Sequence, residues 1–398
     1  MPALLVVARH YWPAPGAASV RLGSLVGAAR DRGWTVDVIT GTPGPDVDGA
    51  GVPVHRVPGD TSTGLSGRRL AELWGFSRAT VHAGRSLAPV DVVIADPPPT
   101  AGLSGLRIAR EHNALGVYYY ADSWADMVGQ STGTLAGAVS PAVRAAESRA
   151  LRRADVVVAV TERLQTQAAA ARRSPEDVLL VPNGADLSDF SAEGATWADP
   201  WGGSVPYVVY AGNMGVVHGA PVFLDAAERL WAEGAEFGVA FLGYGVDRAA
   251  IEARAARSGG RCVVIDPQPP AVAASAFRGA VAGLASVRPI AVTRDSRPAK
   301  AVASIACGCP VLYAGAGVFA DTVQREHLGL AVPHDAGATT VALRTMLSAA
   351  PGAWDRPAIA AYARTHFDHG RAMDGLLDLI TTRLAARRTF NGPAPFRP

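Results

Sequence analysis

With 398 residues, 49% hydrophobic and 18% charged side chains and a net charge of +2, the chain has the composition of a globular protein large enough for two domains. Acids and arginines are interspersed, so no basic footprint points to nucleic acid, and no apolar run reaches the roughly 18 residues of a membrane-spanning helix. Cys262, Cys307 and Cys309 show no zinc-type spacing with His, and two of them are too close for an ordinary disulfide. They are expected as reduced, buried thiols of a cytosolic protein. The opening PALLVVA runs straight into a strand-like segment, with no basic stretch or cleavage site before it.

Apolar, β-branched runs alternate with amphipathic Ala/Leu/Arg segments along the chain, the pattern of βαβ units around a parallel sheet. Strands are expected at 4–8, 35–40, 52–57, 90–95, 116–120, 156–160 and 178–181, then at 207–210, 238–242, 262–265, 281–286, 310–313 and 330–332. Between the two series, DLSDFSAEGATWADPWGGSVP (186–206) is polar, rich in Gly, Trp and Pro and without periodicity, and reads as a linker. The fold class is therefore α/β, with two successive doubly wound domains at 1–185 and 207–369. Ligands of such sheets bind beyond the carboxyl ends of the strands.

Those junctions are where chemistry is expected. RHYWPAPGAASVRL (9–22) brings small residues and a capping Ser19 to the first helix, which carries Arg21; it serves a close-approaching ligand or is a plain turn. In YYYADSWADM, Asp122 follows an apolar strand and either orients a hydroxyl group or caps the next helix. YAGNMGVVHGAP supplies Asn213, Gly215 and His218, two side chains and a backbone that suit an anion, although a lone His is also an ordinary surface residue. FLGYG repeats the strand-then-glycine turn. The segment 67–87 sets arginines beside Leu70, Leu73, Trp74 and Phe76, as in a packed amphipathic helix or one resting on a membrane surface.

The most pointed stretch is RDSRPAKAVASIACGCP (294–310). It holds Lys300, the only lysine among 37 basic residues, at an expected helix start. Helix N-termini favour acids, whereas Arg294, Arg297 and Lys300 reverse that preference. A bound phosphate would account for them, as would a solvated basic turn.

Taken in order, YWPAPGAASVRLGSLVGAARDRGWTVDVITG, DVVIADPPPTAG, GVYYYADSWADM, ESRALRRADVVVAVTERL, VPNGADLSDF, YAGNMGVVHG and RPAKAVASIACGCPVL resemble the retaining glycosyltransferases of family 4, of GT-B architecture, especially the branch of bacterial O-antigen and capsule transferases. The resemblance covers nearly the whole chain. It implies two Rossmann-like parallel-sheet domains facing a cleft, an acceptor domain first and a donor domain second, with a C-terminal helix at 370–390 returning to the first. It implies a nucleotide-diphosphate sugar as donor, Gly16 and Ala17 in the glycine loop, and Asp122 at the reacting carbon. Tyr11, Arg21, Ser123 and Trp124 are expected around the acceptor. Asn213, Gly215 and His218, together with Arg297, Ala299, Lys300, Ala301 and Val302, are expected at the diphosphate. Lys300 and Asp122 carry the catalytic expectation, with no metal and no cofactor.

The chain also departs from that pattern. Ala303 stands where relatives place a Glu that grips the donor, Ser304 replaces the aromatic residue after it, and the loop RPIAVTRDSRPAK lacks the earlier Glu. His218 replaces a common Lys, and Ala121 precedes Asp122 where Arg is frequent. The expected activity is transfer to a small-molecule acceptor in specialised metabolism such as antibiotic assembly. Transfer to a lipid-linked sugar, with weak membrane-surface contact, or a degenerate sugar-nucleotide-binding protein are the alternatives.

Overall fold

Strands such as Ala3–Ala8, Val92–Ala95 and Val156–Ala159 have no polar face, so they need cover on both sides, which only helices flanking a parallel sheet provide. The computed structural model describes residues 1–14, 17–59, 67–129, 134–172, 174–290, 294–350 and 352–390. The chain divides into two units, Met1–Pro182 closed by the segment from Gly370 onward, and Asn183–His369.

In the first unit β1 (Ala3–Ala8), β2 (Thr35–Thr40), β3 (Val54–Arg56), β4 (Val92–Ala95), β5 (Leu115–Tyr120), β6 (Val156–Ala159) and β7 (Val178–Leu180) form one sheet in the order β3-β2-β1-β4-β5-β6-β7. Every pairing is parallel, with Leu4 opposite both Val36 and Val92. The helices are α1 (Ala17–Asp31), α2 (Gly67–Arg85), α3 (Pro99–Glu111), α4 (Trp124–Gly129), α5 (Thr134–Arg153) and α6 (Glu162–Ala170). The second unit has β8 (Tyr207–Ala211), β9 (Gly238–Leu242), β10 (Cys262–Ile265), β11 (Ala282–Ser286), β12 (Val311–Ala314) and β13 (Gly329–Val332), ordered β10-β9-β8-β11-β12-β13 and again parallel. Its helices are α7 (Pro221–Ala232), α8 (Arg248–Ala255), α9 (Pro270–Gly279), α10 (Ala299–Ala306), α11 (Val318–Arg325), α12 (Ala336–Leu347) and α13 (Arg356–His366). Finally α14 (His369–Phe390) adds Met373, Leu376, Leu377, Ile380 and Leu384 to the first unit's core, beside residues of α1 and the sheet.

Both sheets are Rossmann-like, and in each the strand order reverses once, between β1 and β4 and between β8 and β11. That reversal splays the following loops apart and makes the crevice in which such folds receive ligands. Backbone close approach shapes the second crevice. Gly212 (φ +123°) donates its amide to the Leu242 carbonyl at 2.7 Å, and a Cβ on Gly243 (φ +152°) would collide with the Gly212 carbonyl oxygen. Only glycine fits both positions.

The stretch 186–206, expected as a linker, is packed onto the second unit. Trp197 and Trp201 flank Tyr207 at 5.7 and 5.8 Å between ring centroids, and the Trp201 indole donates to the Gly260 carbonyl at 2.9 Å. Burial of two tryptophans outweighs the missing periodicity. Phe76 of α2 is likewise a core residue, 1% exposed, while Trp74 is 70% exposed. The three cysteines are free and buried, and among the described residues no helix is long and apolar enough to cross a membrane.

Candidate active site

At the first crevice, β4 runs directly into Asp96, whose amide donates to the Val7 carbonyl at 2.9 Å, so its position is fixed by the sheet edge. Its Oδ1 lies 2.6 Å from Nη2 of Arg21 on α1, and both residues are buried. The same guanidinium lies 4.8 Å over the Tyr119 ring, while its Nε has no hydrogen-bond partner. Burial lifts the Asp96 carboxyl and Arg21 opposes that shift; the guanidinium itself, despite burial, is held above its ordinary value by Asp96, then Tyr119 and Asp122. Two such buried groups in a short bond form an ion pair. Arg21, expected to meet the acceptor directly, is therefore committed to Asp96.

Asp122 follows β5. Of its two sequence readings, capping the next helix is taken by Ser123, whose Oγ accepts from the Asp126 amide at 3.2 Å. Ser123 and Trp124, expected at the acceptor, belong to this start of α4: Ser123 is buried, and Trp124 is half-buried. The Asp122 side chain remains exposed, yet the protein around it holds its carboxyl above the usual range against the pull of Arg21. Underneath lies Glu147, 6% exposed, which accepts from Tyr120 Oη at 3.1 Å, Ser123 Oγ at 3.4 Å and the Ala125 amide at 3.2 Å. Tyr120→Phe removes one of these donors and should cost about 1–2 kcal/mol in urea denaturation while leaving nucleotide binding unchanged.

Tyr11 is a core side chain instead of an acceptor contact: it is 1% exposed and its hydroxyl donates to Asp48 at 2.8 Å. Gly16 lies outside the described residues, and Ala17 opens α1. At the other end of this sheet, Arg172, Arg383 and Arg387 line a recess, but Asp177 and Asp155 pair with the latter two and backbone carbonyls hold Arg172. Each arginine of that recess is thus held by neighbours within the unit.

The second crevice gathers Lys300, His218 and the loop after β8. Lys300 is 9% exposed at the start of α10, with Nζ 4.8 Å over the Tyr210 ring, and burial lowers its pKa to about 7. Among the described residues it has no carboxylate partner. His218 is half-buried, its Nδ1 3.4 Å from the Ser286 carbonyl at the end of β11. Burial first, then the charge of Lys300, lower its pKa to about 4 against that bond. It is a neutral imidazole at pH 7, not a second cation. Asn213 is exposed, its carbonyl fixed by the Tyr210 hydroxyl at 2.8 Å, and Gly215 accepts the His218 amide at 2.9 Å. Arg288, which lacked a sequence signal, donates its amide to the Val217 carbonyl at 2.8 Å and brings a guanidinium alongside Gly219.

Other expectations at α10 change. The amides of Ala301 and Val302 both donate to the Pro298 carbonyl, at 3.0 and 3.2 Å, which leaves those of Ala299 and Lys300 as the free helix-start donors. Arg297 stacks on Phe367 at 4.8 Å and reaches the Asn183 carbonyl at 3.4 Å. Ala303 faces an apolar cluster with Val209, Ala240 and Phe277, and Ser304 Oγ donates to the Cys309 carbonyl at 3.0 Å. The missing carboxylate thus lies at a position packed against hydrocarbon.

Residues 16–184 match the glycosyl transferase 4-like domain family. Sucrose-phosphate synthase from Thermosynechococcus elongatus superposes with a TM-score of 0.73 at 20% identity, over 97% of this chain and 99% of that one. HepE from Anabaena, solved with UDP-glucose, gives 0.68 at 17% identity, over 97% and 100%. The lipopolysaccharide outer core galactosyltransferase WaaB gives 0.58 at 12% identity, over 94% and 99%. No curated protein matches by sequence. The likeness to these structures over nearly the whole chain shows the GT-B fold. The family match lies within the first unit, at residues 16–184.

Proposed function

We propose that this protein moves a sugar from a nucleotide-diphosphate donor to an acceptor hydroxyl or similar nucleophile, with retention of configuration and without a metal. The observation that carries this reading is Lys300, a buried cation with no carboxylate partner at a helix start, beside His218 and two free amides. A charge left unpaired in a protein interior is costly, and an anionic ligand removes the cost. When the sugar–phosphate bond breaks, negative charge grows on the leaving diphosphate, and Lys300 with the amides of Ala299 and Lys300 would stabilise it there. Asp122, exposed and not needed as a cap, would orient the nucleophile or face the developing positive charge on the sugar.

UDP and UDP-glucose, named in the structures of HepE, are the first donors to test. A donor at 100 times its dissociation constant adds about 2.7 kcal/mol of stability, which thermal denaturation registers as a rise of a few degrees. No rise with UDP-, GDP-, dTDP- or ADP-sugars would end the donor assignment. Asp122→Asn should keep the donor-induced rise and lower product formation by about a hundredfold or more. The acceptor expected from the sequence is a small molecule of specialised metabolism. An arginine-rich outer face on the first unit favours a second reading, an acceptor held at a lipid surface.

A further inference from the structure

We propose that Asp247 of the second unit binds a carbohydrate hydroxyl group of the donor, either on the transferred sugar or on the ribose of the nucleotide. The carboxylate stands on the loop after β9, just before α8, and its Oδ2 is buried without a hydrogen-bond partner. Among the described residues no cation pairs with it. Arg248, next in the chain, is turned instead to Glu252 at 2.7 Å, Asp266 at 2.8 Å and the Gly243 carbonyl at 2.6 Å. Capping α8 does not occupy the carboxylate either. The Asp247 backbone is helical (φ −81°, ψ −8°), not extended as at a capping position, and its side chain accepts no amide of the helix. Buried polar atoms of native proteins are nearly always partnered, so this oxygen calls for a donor from outside the chain.

The loop after β9 is stitched to the loop after β8. The Met214 amide donates to the Tyr244 carbonyl at 2.6 Å, and the Asp247 amide donates to the Met214 carbonyl at 3.0 Å. A Cβ on Gly245 (φ +139°) would lie 2.5 Å from the Met214 carbonyl oxygen, so the two loops run in backbone contact. Asp247 thereby shares a wall of the second crevice with Asn213 and Gly215. Burial and then the charge of Asp247 hold the Tyr210 hydroxyl above its ordinary value, while Lys300 Nζ lies 4.8 Å over the same ring. A cation and a carboxylate thus border one tyrosine without pairing with each other. That set suits a phosphorylated carbohydrate: its phosphate is drawn to Lys300, and its hydroxyls, a few bonds away, donate to an ionised carboxylate, which only accepts. The carboxylate also repels phosphate and so fixes which end of the ligand lies beside it. α10 offers no alternative acceptor, since Ala303 faces hydrocarbon. A metal ion would need further ligands, and among the described residues no three His, Cys, Asp or Glu side chains gather to supply them.

This role for Asp247 rests on the donor reading above, but the two fail differently. The full chain and its Asp247→Ala and Asp247→Asn variants are titrated calorimetrically with UDP-glucose and UDP, or with the matching GDP, dTDP or ADP pair if that nucleotide stabilises the wild type instead. Loss of a hydrogen bond to a charged acceptor should weaken nucleotide-sugar binding about ten- to a hundredfold in Asp247→Ala. Asp247→Asn, whose amide oxygen still accepts, should lose less. If the partner is a hydroxyl of the transferred sugar, the free diphosphate keeps its wild-type affinity; if it is on the ribose, both ligands weaken equally. The ligand-free variants should melt at or above the wild-type temperature, because the carboxylate removed holds nothing in place, whereas a structural carboxylate would lower it. A melting temperature several degrees lower in both variants, or unchanged affinity for both ligands in Asp247→Ala, would overturn the assignment. A wild-type protein stabilised by no nucleotide sugar would instead end the donor reading, and the role of Asp247 with it.

Discussion

Lys300→Met should raise the melting temperature of the ligand-free protein at pH 7 and abolish its stabilisation by UDP. The opposite signs follow from one fact, that a buried ammonium is unfavourable until an anion joins it. Folding holds the Lys300 pKa at about 7, below its ordinary value of 10.5. The resulting penalty on the folded state is fully present below pH 7 and is relieved as pH climbs from about 7 toward 10.5, where the unfolded chain still holds the proton and the native protein does not. Removing the amine should therefore stabilise the free protein by about 1–3 kcal/mol at pH 7 and by less at pH 9. Binding runs the other way. A diphosphate favours the charged amine, so affinity should fall as pH rises above about 7, by up to tenfold per unit, with uptake of close to one proton at pH 8. Calorimetry in buffers of different ionisation enthalpy measures that uptake directly. The Met variant should show no uptake from this group, and its kcat/KM should fall about a hundred- to a thousandfold. A variant that binds UDP as tightly as the wild type would remove Lys300 from the donor site.

Asp96→Ala should be the most damaging single change in the first unit. It leaves the Arg21 guanidinium buried, with Tyr119 beneath it and neither Asp96 nor solvent to compensate its charge. Breaking a buried pair from one side costs about 3–5 kcal/mol, whereas replacing both partners by apolar groups of similar size is often close to neutral. The double variant Asp96→Leu with Arg21→Met should thus recover most of the loss in urea denaturation. It should not recover activity if Arg21 also sets the electrostatics of Asp122, because the carboxylate would then lose the cation that lowers its pKa. Full activity in the double variant would reduce the pair to a structural device.

The alternation of apolar and amphipathic segments was enough to place the strands. Each of the thirteen expected runs corresponds to a strand of the structure, and shifts at the ends are small, as where β3 begins at Val54 instead of residue 52. Fully buried parallel strands leave little room for ambiguity, since their apolar runs are short, β-branched and bounded by turns. Lys300 was legible because a solitary lysine at a helix start is unusual on any chemistry. The supporting residues were not. Asp96 stands before three prolines, Pro97 to Pro99, with no local sign of a partner, while Glu147 lies mid-helix among arginines like any solvated acid. Only the folding of α5 over β5 turns Glu147 inward. Arg297 shows the complementary point: its position suits a phosphate, and nothing in the sequence signals the aromatic face of Phe367, seventy residues on, that lies under its guanidinium. The stretch 186–206 shows that lack of periodicity does not mean lack of packing.

The return of α14 to the first unit bears on how the chain is made. The second unit, Asn183–His369, is one continuous segment, whereas the first is completed only by residues that follow it. During synthesis the second unit can therefore reach its native state while the first still exposes the apolar surface that Met373, Leu377 and Ile380 will cover. A chain ended after His369 would present that uncovered surface permanently. Such a truncation should yield a well-folded carboxyl half attached to an aggregating amino half, visible as a soluble tryptic fragment beginning near residue 183.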